Sequence, residues 1–499
     1  MSHTGLPLLR RCMAMALCCG MTIPMAACSS SSTDGASPAA SPSMTNGQVA
    51  MFVPTDSFTI SQNVPLNTWN RLVGATSDAL IERGFDDDDI TTHADADLDK
   101  QSRSIETYVR EHIEHGDGER TLVVAPAVRT AESTKYYGDY ATQMLESSKD
   151  GDDAKDEKDA KVDEALARTV AALNRVKAAG GHVVVLSTRI PGFTPDAFVS
   201  ICDAEQIGRM QAQQLVNKLE LDKTSRDNPK RIEIMLPFDG EASHPSDEQR
   251  FARDTFKGAW SVLGTYFRSG VVVSPSLRLS AASTEDDWHD VAFQARKTDD
   301  VVAEIKARLH TNAKGAFTPI DGVVSMNDFV ADGVIKGLTA MGYVGTAADI
   351  NPSITIGDVL GNIAGRRDVQ RGKVPEPTQA PKSSAGEAKD DGSADRETPP
   401  VTSNRWPIVT GYGSYVSNIP NIVDGKQWMT GLADRNGNAS GIAAICRALN
   451  RNDDKAALDH FNTVDGVPTM GLPLIAVSAG NLKTTLIDPG YISLADADL

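Results

Sequence analysis

The chain has 499 residues, 40% of them apolar, only 5% aromatic, and 40 of them glycine. A large core can be built from this, and the mix suits an α/β protein with many short connections better than an all-β sandwich. A net charge of -18 disfavours nucleic acid as a partner, because an acidic surface repels phosphates.

In chain order, Arg10 and Arg11 precede an apolar stretch from Cys12 to Ala27. It falls short of the roughly 20 residues needed to span a bilayer and has the layout of a secretory signal. Met25-Ala26-Ala27-Cys28 resembles a bacterial lipobox, which makes Cys28 the candidate lipidation site and a membrane anchor. Residues 1–28 are thus read as a lipoprotein signal peptide and 29–50 as a flexible Ser/Ala/Gly/Pro tether. Four of the six cysteines lie in the first 28 residues. The other two, Cys202 and Cys446, can pair or stand as buried thiols.

Beyond the tether, short apolar strands alternate with amphipathic helices. Ser57–Gln62 is a strand candidate, followed by a helix at Trp69–Arg83 that stops at Gly84, and a strand at Ile90–His93. Gln101–Glu114 reads as helix, Thr121–Ala125 as strand, Val162–Ala178 as helix and His182–Ser187 as strand. The rhythm repeats with helices at Gly208–Leu219, Phe251–Leu263, Val301–Leu309 and Ala331–Met341. The matching strands are Arg231–Leu236, Gly270–Val273, Gly322–Ser325 and Pro407–Thr410. Such a pattern implies parallel sheets covered by helices on both faces and joined by right-handed crossovers. Two charged or Pro-rich stretches, 147–161 and 371–404, read as disordered surface insertions.

Several short matches share an order and spacing. They include Asp97 to Gln101 with Ile105-Glu106, Val123 to Pro126, and Val183 to Ile190. Next come Asp203 to Ala212, Asp321 to Asp328 with Gly333 to Ile335, and Pro407 to Gly411. Gly425 to Thr430, Leu472 to Val477 and Asn481 complete the set. Together they resemble the sugar-binding proteins of bacterial ABC importers, in the branch with xylose-binding and multiple-sugar-binding proteins. The resemblance implies an α/β fold of two Rossmann-like lobes with parallel sheets, joined by a multi-strand hinge in the type I periplasmic binding protein manner. It implies an N-terminal lobe from 51–190 plus 412–470 and a C-terminal lobe from 191–411 plus 471–499.

The function so implied is capture of a small carbohydrate outside the cytoplasm for an ABC transporter permease, without catalysis, cofactor or metal. Sugar hydroxyls pair with planar polar side chains, and aromatic rings cover the sugar's apolar faces. The site residues carried over are Trp69, Arg189, Asp203, Asn327 and Asp328, with Tyr412 where the family has a hinge glutamine. The pattern departs at Ala204, Ser187-Thr188, Tyr412-Gly413 and Ala433, where polar ligands of the family are replaced. Three readings stay open. The cleft takes a different or modified sugar through Trp69, Tyr412 or Trp288; it takes an anionic solute anchored by Arg189; or the frame serves sensing or adhesion with a degenerate site. Asp434 to Asn438 resembles the opening of a calcium loop, but Ala439 and Ile445 stand where such a loop needs Gly and Glu. His112 and His115 lack a third metal ligand.

Overall fold

A computed structural model describes residues 46–56, 65–113, 119–128, 134–141, 145, 157–240, 245–309, 317–347, 404–452 and 461–493. Cys28, the 57–62 strand candidate and residues 371–403 lie outside them.

The first strand is β1 (Gln48–Pro54), not Ser57–Gln62, so the tether does not extend to residue 50. Its run Val-Ala-Met-Phe-Val is buried throughout, because both faces of the sheet are covered. Val49, Met51 and Val53 face one apolar layer with Leu72 and Leu80, while Ala50 and Phe52 face another with Ile105 and Leu173. The other strands of this sheet are β2 (Ile90–Asp95), β3 (Arg120–Val124), β4 (His182–Leu186), β5 (Ala197–Ser200), β13 (Phe461–Val464) and β14 (Val467–Gly471). Their order is β13-β14-β5-β4-β3-β1-β2, all parallel except the β13–β14 hairpin.

The second sheet has the order β15-β12-β11-β10-β6-β8. Its members are β6 (Lys230–Ile234), β8 (Val272–Val273), β10 (Gly322–Val324), β11 (Ile408–Thr410), β12 (Met429–Leu432) and β15 (Ile475–Ser478). Only β15 runs antiparallel to its neighbour. A two-strand pair joins β7 (Leu236–Pro237) to β9 (Ala292–Phe293).

The helices are α1 (Trp69–Glu82), α2 (Leu98–Tyr108), α3 (Glu157–Ala178), α4 (Ala204–Leu219), α5 (Pro245–Arg268) and α6 (Trp288–Val291). They continue as α7 (Thr298–Arg308), α8 (Asp328–Met341), α9 (Ile419–Val423) and α10 (Arg435–Asn450). Helix α3 begins at Glu157, inside the stretch read as an insertion; exposed Ala160 and Lys161 show that its early charged turns face water.

The expected lobe boundaries need correction. Strand β5 pairs with β4 in the first sheet, and β12 pairs with β11 in the second. The chain therefore first crosses at Ile201 to Asp203, ten or so residues after the expected boundary. It returns after β12, where α10 packs on α1, and crosses last between β14 and β15. Cys202 and Cys446 are both buried thiols, with no disulfide between them.

Candidate interlobe site

The loops that follow β1 and β3 in the first lobe meet those that follow β7, β10 and β11 in the second. This is the carboxyl-end edge of parallel strands, where open α/β sheets place ligands. From the first lobe come Asn67, Trp69, Tyr136, Tyr137 and Tyr140. Trp69 opens α1 and packs edge-on against Tyr140 with ring centroids 5.3 Å apart. The Tyr140 hydroxyl donates to Thr68 O at 2.6 Å, fixing this aromatic pair to the loop before α1.

From the second lobe, Phe251 of α5 meets Tyr137 at 4.9 Å, and Phe329 of α8 stacks on Tyr136 at 4.2 Å. Tyr412 faces Tyr137 at 6.3 Å. Hydrogen bonds also cross the gap: the Tyr415 hydroxyl donates to Tyr136 O at 2.6 Å, and Leu66 N donates to Gly413 O at 3.1 Å.

At the strand ends around this edge lie buried polar atoms without a well-formed protein partner. Asn67 is 1% exposed, and its amide faces the Tyr412 hydroxyl without a well-formed hydrogen bond. The Nδ2 of Asn327 faces the Tyr137 hydroxyl without a well-formed bond, and the hydroxyls of Ser187 and Ser325 are unmatched, as is Oε1 of Gln206 in the first turn of α4. Buried polar groups ordinarily find partners, and leaving one unmatched costs about 1–3 kcal/mol. Asn67 follows β1, Ser187 follows β4, and Ser325 and Asn327 follow β10. The backbone is strained at the same edge. Ser187, Met326 and Ser414 hold φ of 57°, 62° and 50°, a left-handed region that costs a residue with a side chain about 1 kcal/mol or more. Burial raises the Tyr137 and Tyr412 pKa values well above the usual phenol range, so both keep their protons.

Residues 163–365 match a family model described as a periplasmic binding protein domain. A comparison with curated proteins finds none that matches. Solved structures give wider alignments at low identity. An ABC transporter solute-binding protein from Clostridium phytofermentans with bound β-D-glucose is 19% identical, with a TM-score of 0.49, over 90% of this chain and 100% of that one. A carbohydrate transporter solute-binding protein from Chloroflexus aurantiacus with D-glucose is 18% identical, with a TM-score of 0.48, over 90% and 97%. A periplasmic ribose ABC transporter protein from Conexibacter woesei is 12% identical, with a TM-score of 0.47, over 89% and 95%.

The residues expected at the site have separate fates. Trp69, Asn327 and Tyr412 stand at the interlobe edge. Arg189 does not: its exposed guanidinium lies 4.6 Å over Phe198, whose ring belongs to the apolar layer of α2 and α3. Without an acidic neighbour to draw it inward, the cation settles on an aromatic face. Asp203 serves as the N-cap of α4, accepting from Gln206 N at 2.7 Å, and burial raises its pKa.

Asp328 is fully buried, with both carboxylate oxygens occupied by its own lobe. Gln427 Nε2 donates to one at 2.7 Å; Thr430 Oγ1 at 2.8 Å and Tyr415 N at 3.0 Å donate to the other. Burial lifts its pKa to about 6, against the pull of these donors. It is a brace for the 411–415 loop rather than a free ligand group. Trp288 is buried against Phe238 and does not reach the cleft aromatics. Asp434 caps α10 by accepting from Gly437 N at 2.8 Å, which accounts for the calcium-like spacing.

Sequence reasoning missed Asn67, Ser187, Ser325 and Tyr137. The strand before Asn67 was placed at Ser57–Gln62 rather than at β1, so nothing marked Asn67 as a residue of the interlobe edge. Ser187 stood in view, but as the replacement for a family ligand rather than as a donor in its own right.

Proposed function

We propose that this chain is a periplasmic binding protein that captures a neutral sugar or polyol between its lobes, outside the cytoplasm, and delivers it to the permease of an ABC importer. The observation that carries the reading is the set of buried polar groups without a well-formed protein partner at the interlobe edge: Asn67, Ser187, Ser325 and Asn327 Nδ2. Whichever way its amide is oriented, Asn67 presents one donor and one acceptor. A carboxylate or phosphate offers acceptors only and leaves the Asn67 oxygen bare. A hydroxyl gives and takes one bond each, so a polyol satisfies the whole set. Trp69 and Tyr137 supply apolar surface for its C–H faces. The anionic alternative loses its anchor, since Arg189 is held on Phe198. Lipidation of Cys28 and the tether that follows hold the domain at the membrane in this reading.

Thermal unfolding of the tether-free domain with D-glucose, D-ribose, myo-inositol and D-glucuronate at 10 mM tests it. A neutral member raises the melting point, as stabilisation of about 2.7 kcal/mol at a hundred times Kd requires. Asn327→Asp keeps the cap on α8 but turns the free donor into an acceptor, and it abolishes the shift. A shift with D-glucuronate alone, or one that survives in both Asn327→Asp and Asn67→Ala, rules the reading out.

A further inference from the structure

We infer that the C-terminal turn Pro489–Tyr491 is a clasp across the hinge: a non-covalent tie, added to the three crossing segments, that holds the lobes in the arrangement seen here and lets go when they part. The turn belongs to the second lobe. It follows β15 and a wide helical turn, Lys483–Ile487, and its neighbours Leu486, Tyr491 and Ile492 pack in one apolar cluster with Ile419, Ile422 and Val423 of α9. Gly490 turns the chain with a φ of 75°. Gly490 N donates to Ile487 O, and the amides of Tyr491 and Ile492 both donate to Leu486 O. The turn thus satisfies its own amides and leaves its carbonyls for partners elsewhere.

The first lobe takes all three carbonyls. Asn436 Nδ2 donates to Pro489 O at 2.8 Å, Arg435 Nη2 to Gly490 O at 3.4 Å, and Arg71 Nη1 to Tyr491 O at 3.5 Å. Arg71 lies on α1, and Arg435 and Asn436 open α10, which packs on α1. The Tyr491 side chain is held as well. Its hydroxyl donates to Asp434 Oδ1 at 3.1 Å and accepts from Asn436 N at 3.3 Å, and the Arg435 guanidinium lies 4.4 Å over its ring. Arg435 is only 8% exposed and, among the described residues, has no carboxylate partner. A cation buried in this way is costly unless other groups compensate it, and here the Tyr491 ring and the Gly490 carbonyl of the second lobe do so. Asp434 stands where the chain has just crossed, so the contacts sit beside the pivot. Rotating one lobe as a body changes their lengths and angles, on which hydrogen bonds depend steeply. Contacts made in one arrangement alone favour that arrangement.

Amide hydrogen exchange resolved to single residues, on the full-length protein without solute, reads even a rare parting of the lobes. Leu66 N donates to Gly413 O across the gap, whereas Ala125 N to Phe52 O and Met235 N to Val324 O are bonds within the first and the second lobe. In the wild type the Leu66 amide exchanges faster than the other two, because the lobes part without unfolding. Asn436→Asp removes the donor to Pro489 O but keeps the oxygen that accepts from Arg435 Nε, and it places a favourable charge at the start of α10. Tyr491→Phe removes the hydroxyl and keeps the ring. Each variant speeds Leu66 exchange by about fivefold. In Asn436→Asp, Ala125 and Met235 stay within about twofold of the wild type, since the gain at α10 offsets the lost tie against unfolding but not against opening.

An unchanged Leu66 rate in either folded variant overturns the inference, and if one variant fails to fold the other decides. Equal acceleration of all three amides in Asn436→Asp also overturns it, because the contacts then serve general stability alone. So does a wild-type Leu66 amide that exchanges no faster than Ala125 and Met235, since the lobes then separate only by unfolding. None of these results bears on which solute the cleft takes.

Discussion

Asn327 and Asp328 are adjacent, follow the same strand, and end with opposite assignments. Asn327 is the N-cap of α8: its oxygen accepts from Val330 N at 2.9 Å, and its nitrogen turns toward the Tyr137 hydroxyl of the other lobe. Asp328 is the first helical residue, one step around the turn, and its carboxylate points back into its own lobe. Sequence placed both at the strand end correctly, but a cap and a first-turn residue differ in direction, which spacing does not encode. Truncating Asp328→Ala strands three donors, those of Gln427, Thr430 and Tyr415, and is expected to cost about 2–4 kcal/mol at pH 7 in urea unfolding. The pH dependence has a definite sign. With the native pKa raised to about 6 from an ordinary 3.8, the folded state binds more protons between those values, so stability from this group is greatest below 3.8 and falls as pH rises through 6. The gap between wild type and Asp328→Ala is therefore wider at pH 4.5 than at pH 7.5, by on the order of 2 kcal/mol. A gap that grows toward alkaline pH contradicts this account.

At the scale of elements, periodicity located most helices and strands because their apolar spacing is local. It failed where partners decide. Strand β1 carries a strong apolar run, but it follows a polar linker without a break, and only its pairing with β2 and β3 marks where structure begins. Strands β7 and β9, two residues each, carry too little pattern to be seen. The packing of α4 on α5 shows a further layer. Gly208 already stood out in the Asp203 to Ala212 match, without a reason for being glycine. In the structure a Cβ on Gly208 would overlap Thr255 O, and one on Gly258 would overlap Glu205 O, so each helix lays its backbone on a glycine of the other. Lys257 and Glu205 pair at 2.8 Å beside this contact. Gly258→Ala gains helix propensity of about 1 kcal/mol but must push two backbones apart. Overpacking of this kind costs about 1–3 kcal/mol, so the net change is destabilising, read as a lower urea midpoint with unchanged slope. A rise in midpoint would mean the helices separate freely.

For the whole molecule, the two-lobed plan was legible because repeated strand–helix units have few ways to pack, yet the crossing points were misplaced. Sheet membership of β5 and β12 is set by pairing with strands distant in sequence, and nothing within Ala197–Ser200 or Met429–Leu432 announces it. The same long-range contacts bear on closure. The Tyr136–Phe329 stack, the Tyr415-to-Tyr136 hydrogen bond and the Leu66-to-Gly413 hydrogen bond join the lobes through protein groups alone. An aromatic pair contributes about 0.5–1.5 kcal/mol and a hydrogen bond about 1 kcal/mol. Together these contacts favour the closed arrangement by roughly 2.5–3.5 kcal/mol, enough to shift the closed-to-open ratio by about seventyfold or more before any solute is bound. Phe329→Ala combined with Tyr415→Phe removes the stack and one of the bonds without touching Asn67, Ser187 or Asn327. In small-angle scattering, the solute-free wild type should keep the dimensions of the closed form, whereas the double variant should expand and then contract when a binding sugar is added. Equal dimensions for the two proteins without solute would place the energy of closure elsewhere, in the hinge strands themselves.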